Sequence, residues 1–282
     1  MLVFVGIGPG DPELITRKAA RILREADAIA LPDSGSGNSA VMQIVGDLIA
    51  DKPLCRLEMP MRGMRDDWAA AHDRAAEALL AHLKTYPTVA YPVLGDPGVY
   101  ASSSYLLRRI APLHPCTVIP GVPAMCAAAA AMGVPLCEQG EPLTVVDSFD
   151  PEVPLPEGNV VLMKSGKNID ALKNALEGRE AYAARNLGMD RAWTGPLADI
   201  PADGYSYFTT VISPATAMDR LLIAPSVSPS SMARVVPMAW DALPMATPFA
   251  TRSSMRISLR KPSAKMLPST PVTMITAAAM DG

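Results

Sequence analysis

Three turns built from glycine and proline carry the residues best placed to do chemistry: Gly6-Ile7-Gly8-Pro9-Gly10-Asp11-Pro12, Gly95-Asp96-Pro97 and Pro120-Gly121-Val122-Pro123. Each follows a short apolar run and precedes a helix-like stretch. In open α/β sheets, ligands bind outside the carboxyl ends of the strands, which is where such turns lie. Glycine lets a ligand approach the backbone closely, and the start of a helix offers N–H donors that have no partner within the helix. Turns of this kind suit the binding of a small molecule. Taken singly, each is equally well explained as a structural corner, with Asp11 and Asp96 as helix N-caps and Pro12 and Pro97 in the first helical position.

Other chemistries are poorly represented. The first turn is not the G-x-G-x-x-G dinucleotide fingerprint, because Pro9 and the short glycine spacing break it. Lys164-Ser165-Gly166-Lys167 resembles the end of a phosphate loop, but the glycine that loop needs five residues earlier is Val161. The three histidines, His72, His82 and His114, suggest no Ser/His/Asp set and read as surface or packing residues. Cys55, Cys116, Cys126 and Cys137 are widely spaced, with neither a C-x-x-C pair nor a histidine at zinc-ligand spacing. The apolar neighbours of Cys116 and Cys126 predict buried thiols. No metal site is expected.

Strands and helices alternate around these turns. Leu2–Ile7 reads as a buried strand, and Leu14, Ala19, Ile22, Leu23 and Ala26 give a helical stripe that Asp11 is expected to cap. Ala28–Leu31 reads as a strand stopped by Pro32. Ala69–Leu83 forms an amphipathic helix, Thr88–Leu94 a strand, Tyr105–Ile110 a helix, Cys116–Ile119 a strand and Ala124–Met132 an alanine-rich helix. Three strand–turn–helix units in succession predict an α/β fold with a largely parallel sheet. Further on the rhythm loosens. Leu143–Val146, Asn159–Met163, Ala181–Asn186 and Tyr205–Ile212 read as strands and Ile169–Leu176 as a helix, forming a second α/β or α+β lobe.

Composition divides the chain again. It has 282 residues, 28 of them proline, and a net charge of −3. Beyond Ser213 lie nine prolines, eight of the 17 methionines, no glutamate and a single glycine, with seven basic residues against three acidic ones, a charge of +4. Residues 1–213 carry 18 basic and 25 acidic residues, a charge of −7, which argues against a nucleic-acid partner. The expected organisation is an N-terminal α/β lobe over 1–135, a C-terminal lobe over 136–213, and a low-complexity, disordered tail over 214–282. The abrupt change fits either a flexible extension or translation in a shifted frame. Met1-Leu2-Val3-Phe4-Val5 lacks the basic start of a signal peptide, and the longest apolar stretch, Ala124–Met132, is too short to span a bilayer. A cytoplasmic protein with no membrane partner is expected.

Read together, the turns resemble a known family. Gly6-x-Gly8-Pro9-Gly10-Asp11-Pro12-x-Leu14-x-Thr16, then Leu94-Gly95-Asp96-Pro97-x-x-Tyr100, then Ile119-Pro120-Gly121-Val122 are similar, in order and spacing, to the tetrapyrrole (corrin/porphyrin) methylases. Within that family the likeness is strongest to enzymes that methylate C-20 of precorrin-2 or of its cobalt-bearing form, cobalt-factor II. That finer likeness is carried by Leu57-Glu58-Met59-Pro60-Met61, Trp68, the run from Gly95 to Leu107, Pro135-Leu136, Val161-Leu162-Met163-Lys164, Asn186-Leu187-Gly188-Met189 and Tyr207-Phe208. It covers residues 1–212; the tail has no counterpart.

The resemblance implies a two-lobed α/β homodimer that binds S-adenosylmethionine in a cleft between its lobes and methylates a tetrapyrrole in cobalamin biosynthesis. It implies that Pro9, Gly95, Asp96, Val99, Ser103, Pro123, Ala124, Met163 and Leu187 line the cofactor site. Family members often carry Ser or Thr where this chain has Pro123, so one hydroxyl contact is missing. The methyl on a sulfonium is already activated, and the enzyme has chiefly to align a carbon nucleophile with it. No residue is singled out as catalytic. A substrate rich in carboxylates calls for basic groups at the cleft mouth, for which Arg62, Arg65 and Lys164 are the candidates, with Lys167 nearby. Tyr100 packs either on the macrocycle or on its own helix. Competing readings are a methylase of the same fold acting on another ring carbon or on a macromolecule, and a non-catalytic ligand-binding relative.

Overall fold

The computed structural model describes residues 1–33, 40–58, 65–202 and 206–215. The expected tail, except for its first two residues, lies outside them, as does Arg62. The described chain contains two five-stranded sheets.

The first sheet is all parallel. Its strands are β1 (Leu2–Gly6), β2 (Ala28–Asp33), β3 (Leu54–Glu58), β4 (Val89–Val93) and β5 (Cys116–Ile119), in the order β3-β2-β4-β1-β5. Every residue of β1 and β4 is buried, as expected of parallel strands covered on both faces. On one face Leu2 and Phe4 meet Ala75, Ala76, Leu79 and Leu83 of α3 (Arg65–Thr85) and Leu106 and Ile110 of α4 (Ser103–Ile110). On the other, Val3, Val5 and Ile7 meet Ala19 and Leu23 of α1 (Arg17–Glu25) and Val41, Ile44 and Val45 of α2 (Ala40–Val45). The alternating side chains of one strand thus feed two cores.

Proline does not end β2 as the sequence suggested. The strand continues through Pro32, paired with Leu57 of β3. It pairs with β4 only at Ala28 and Ile29, so one side of β2 is open beyond that point. The same divergence leaves a side of β4 open at Pro92, a residue otherwise foreign to a central strand. Strand β3 itself is an addition to the expected elements. Its alternating burial, with Cys55 and Leu57 inward and Leu54, Arg56 and Glu58 outward, marks an edge strand with one buried face.

The second sheet is mixed, in the order β6-β7-β10-β8-β9. Its strands are β6 (Leu143–Val146), β7 (Asn159–Leu162), β8 (Tyr182–Arg185), β9 (Trp193–Pro196) and β10 (Thr209–Ser213). Only β6 and β7 pair in parallel. Val160, Leu162, Ala183 and Val211 face α6 (Ile169–Ala175) through Ile169 and Leu172. Val161, Met163, Ala184 and Ile212 face α5 (Ala124–Met132) through Ala128 and Ala129. Helix α5 thus follows β5 of the first sheet in the chain and packs on the second sheet. It ends at Gly133, which takes a left-handed conformation (φ 65°). No helix among the described residues is long and apolar enough to cross a membrane.

The thiols depart from expectation in part. Cys55 is buried, whereas Cys126 is exposed on α5, Cys116 is half-buried and Cys137 is exposed; all four are free. Alanine neighbours on α5 cover the opposite face of the helix and leave Cys126 outside. His72 packs as expected, 5% exposed, with its ring centroid 5.1 Å from Tyr105 and 5.5 Å from Trp68.

Candidate active site

The three turns meet. Gly8 and Gly95 exchange backbone hydrogen bonds, the Gly8 N–H to the Gly95 carbonyl at 3.3 Å and the Gly95 N–H to the Gly8 carbonyl at 2.8 Å. Gly121 lies across both. A Cβ on Gly121 would stand 2.2 Å from the Gly95 carbonyl oxygen, and one on Gly6 would stand 2.4 Å from the Gly121 nitrogen. Those separations exclude any side chain, so these glycines are set by backbone contact as well as by any ligand.

Asp11 and Asp96 do not cap the helices that follow them. The Asp11 carboxylate accepts from the Glu13 N–H at 2.8 Å and caps only a 3-10 turn over Pro12–Leu14. Helix α1 has its own cap, Thr16, whose hydroxyl accepts from the Ala19 N–H at 3.1 Å. Asp96 is six residues short of Ser102, the cap position of α4. One Asp96 oxygen accepts from the Gly98 N–H at 2.7 Å, and the other from the Gly121 N–H at 2.9 Å. Asp96 is therefore a clasp between the second and third turns. Asp11 and Pro12 hold the expected cap and first positions, but of the 3-10 turn and not of α1, whereas Asp96 caps no helix.

The second sheet closes against this rim at two places. A Cβ on Gly188 would stand 2.2 Å from the Asp11 nitrogen, and one on Gly10 would stand 2.0 Å from the Leu187 carbonyl oxygen. Thus the Asn186–Met189 loop lies directly on the first turn. Around α5, Val99, Ala124, Met163 and Leu187 all join one apolar cluster with Ala128, Ala129 and Ile212. Gly95 faces the start of α5, where an added Cβ would find only ordinary contacts, 3.8 Å to the Ala124 nitrogen and 4.0 Å to the Pro123 Cα. Pro123 holds the N-cap position of α5 with no side-chain hydrogen bond. Ser103, 2% exposed, has a hydroxyl with no hydrogen-bond partner.

The family description Tetrapyrrole (Corrin/Porphyrin) Methylases matches residues 1–201. The chain belongs to this family. Among curated tetrapyrrole methylases it is 32% identical over 232 residues to a precorrin-2 C(20)-methyltransferase of Sinorhizobium sp, an alignment covering 76% of this chain and 94% of that one. It is 31% identical over 170 residues to the cobalt-precorrin-2 C(20)-methyltransferase of Salmonella typhimurium, covering 58% and 72% of the two chains. In fold it is similar to a cobalamin-synthesis-related protein of Corynebacterium diphtheriae, with a TM-score of 0.59 at 22% identity over 77% of this chain and 99% of that one.

The basic and aromatic candidates of this tetrapyrrole methylase stand differently from the apolar ones. Arg65 opens α3. The Lys164 ammonium lies 2.6 Å from an Asp147 oxygen, donates to the Tyr100 carbonyl at 3.1 Å, and sits 5.7 Å from the centre of the Tyr207 ring. Burial alone would lower its pKa, but the hydrogen bond and charge of Asp147, with Tyr207, outweigh that and leave it raised. The Tyr100 hydroxyl donates to the Val145 carbonyl at 2.7 Å, while the residue as a whole is 47% exposed. Tyr100, Lys164 and Asn186 all hold left-handed backbones, with φ of 46°, 53° and 52°. Such conformations are costly for residues other than glycine and collect at functional sites. Asp147 and Val145 were absent from the sequence-derived candidates. Nothing in the local sequence marks a lone aspartate one residue past a strand.

Proposed function

We propose that this chain transfers the methyl group of S-adenosylmethionine to C-20 of precorrin-2 or its cobalt-bearing form, a step of cobalamin biosynthesis. The observation that carries the reading is the convergence of the three glycine turns with Val99, Ala124, Met163 and Leu187 around the start of α5. The acceptor rests on the relatives that carry this activity in their names and match along most of their length.

The residues present suit the cofactor. Met163 and Leu187 offer an apolar flank for a planar base, and Gly95 brings backbone close without side-chain bulk, next to the turn that carries Pro9. Asp96 has both oxygens committed to backbone N–H groups. It therefore acts by holding Gly95–Val99 in shape, whichever part of the ligand that turn meets. The first N–H groups of α5, a helix of nine residues, favour the negative end of a ligand. Pro123 supplies no hydroxyl there, which leaves backbone contacts to do the work. When bound, S-adenosylmethionine supplies a methyl group on a positively charged sulfur, ready for attack by a carbon. The protein contributes alignment of the two carbons and exclusion of water.

In this reading residues 1–135 supply the turns and 136–213 the apolar flank, the enzyme works as a cytoplasmic homodimer, and Arg62 and Arg65 meet the carboxylates of the substrate. The test is one assay with two substrates. Purified protein, S-adenosylmethionine and either precorrin-2 or cobalt-factor II should give a product one methyl group heavier. An unchanged mass with both substrates rejects the acceptor. If calorimetry also finds no binding of S-adenosylhomocysteine at micromolar concentration, methyl transfer itself is rejected.

A further inference from the structure

We propose that Lys164 is a positioning residue, which with Asp147 and Tyr100 latches the cofactor-side turn of the first sheet to the second sheet, and is not a ligand for substrate carboxylates. The inference rests on the methyl-transfer reading above, and assigns its lysine to a different partner.

The latch has three parts. Lys164 follows β7 by two positions and reaches across to the carbonyl of Tyr100, which ends the Gly95–Tyr100 turn. Asp147, one residue past β6, holds the same ammonium at 2.6 Å. The Tyr100 side chain returns the tie by donating to Val145 of β6 at 2.7 Å. The connection therefore runs from β7 to the turn and from the turn back to β6, two adjacent parallel strands. Both ends of the Lys164–Tyr100 bond sit on left-handed backbones. A local strain of that kind persists where surrounding contacts over-determine it.

Charge accounting favours this role over substrate binding. A lysine offers three N–H donors. One is spent on the Tyr100 carbonyl, Asp147 neutralises the charge, and the face of Tyr207 lies beside the ammonium. A substrate carboxylate would meet an ammonium whose charge Asp147 already neutralises and whose position the Tyr100 carbonyl already fixes. What the latch does hold is the turn containing Gly95, Asp96 and Val99, on the cofactor side.

The roles separate in binding measurements on the full chain. Lys164→Met and Asp147→Asn should each weaken S-adenosylhomocysteine binding by about tenfold, the scale of a charge-assisted hydrogen bond. The double variant should be little worse than either single one, because both remove the same tie. Tyr100→Phe should weaken binding in the same direction, while the tetrapyrrole KM at saturating S-adenosylmethionine stays within about twofold in all of them. Should Lys164→Met fail to fold, Asp147→Asn and Tyr100→Phe, which keep side-chain volume, decide the matter. A raised tetrapyrrole KM with unchanged S-adenosylhomocysteine affinity overturns the latch in favour of substrate binding. A lowered melting temperature with both constants unchanged overturns it in favour of a merely structural contact. If the unmodified protein binds no S-adenosylhomocysteine, the methyl-transfer reading fails first, and the latch, which rests on it, falls with it.

Discussion

The rims of the two sheets are built by different means. On the first, the glycine turns touch one another backbone to backbone, and a single carboxylate, Asp96, clasps two of them. On the second, the loops are held by polar side chains of residues in left-handed conformations: Lys164 on Asp147 and Tyr100, and Asn186 accepting from Ser206. The first arrangement leaves no room for a Cβ at Gly6 or Gly121. The second has such a close contact at Gly188, and adds ion-pair and side-chain hydrogen-bond ties that can be loosened without a steric clash. A methylase that must grip a small cofactor while admitting a large macrocycle would profit from having one rim of each kind.

The largest effect that would test this contrast is Gly121→Ala. The added carbon would lie 2.2 Å from one backbone atom and 2.8 Å from another, neither on a flexible side chain. A loss of about 3 kcal/mol or more is expected from strain and the separation of three turns, read as a lowered midpoint in urea. A variant of near-normal stability would show that the first rim yields as readily as the second. Asp96→Asn is a milder probe. One of the two backbone N–H groups loses its acceptor, at a cost of about 1–2 kcal/mol, and S-adenosylhomocysteine affinity should fall with stability. If affinity falls while stability is untouched, Asp96 meets the ligand itself, contrary to the role as a clasp.

The smallest effect concerns pH. The raised Lys164 pKa means that the folded state holds that proton more tightly than the unfolded chain does. Its stabilising contribution is therefore complete below the ordinary lysine value and fades as pH rises through the raised one. Thermal unfolding of the unmodified protein and of Lys164→Met should differ near neutral pH and converge in strong alkali. With the pair partly exposed, the gap should be no more than about 1 kcal/mol. A gap that widens with alkali contradicts the ion-pair account.

How much could be read in advance follows the same division. The first rim was legible because close backbone approach demands glycine at Gly6 and Gly121, and a left-handed backbone favours it at Gly95. Its strands were legible because burial on both faces requires continuous apolar runs, as in Val89–Val93. What failed was local. Asp11 and Asp96 precede prolines just as helix caps do, yet they serve a 3-10 turn and a clasp. Strand β9 carries Gly195 and Pro196, residues that argue against a strand, and is tolerated because it lies on the edge of its sheet. Asp147 was not legible at all. Its role comes from a lysine 17 positions later, and side-chain pairing across strands leaves no periodic mark.

The strand order has a consequence for how the protein is made. Strand β1 leaves the ribosome before both of its neighbours, β4 and β5, which end at Val93 and Ile119. During synthesis at roughly 5–20 residues per second, β1 waits about 6–23 seconds for its second neighbour. Its apolar residues lack part of their cover until that strand arrives, and long-range parallel pairing is slow to form. The segment at the heart of the site is thus the one most in need of protection while the chain is still growing.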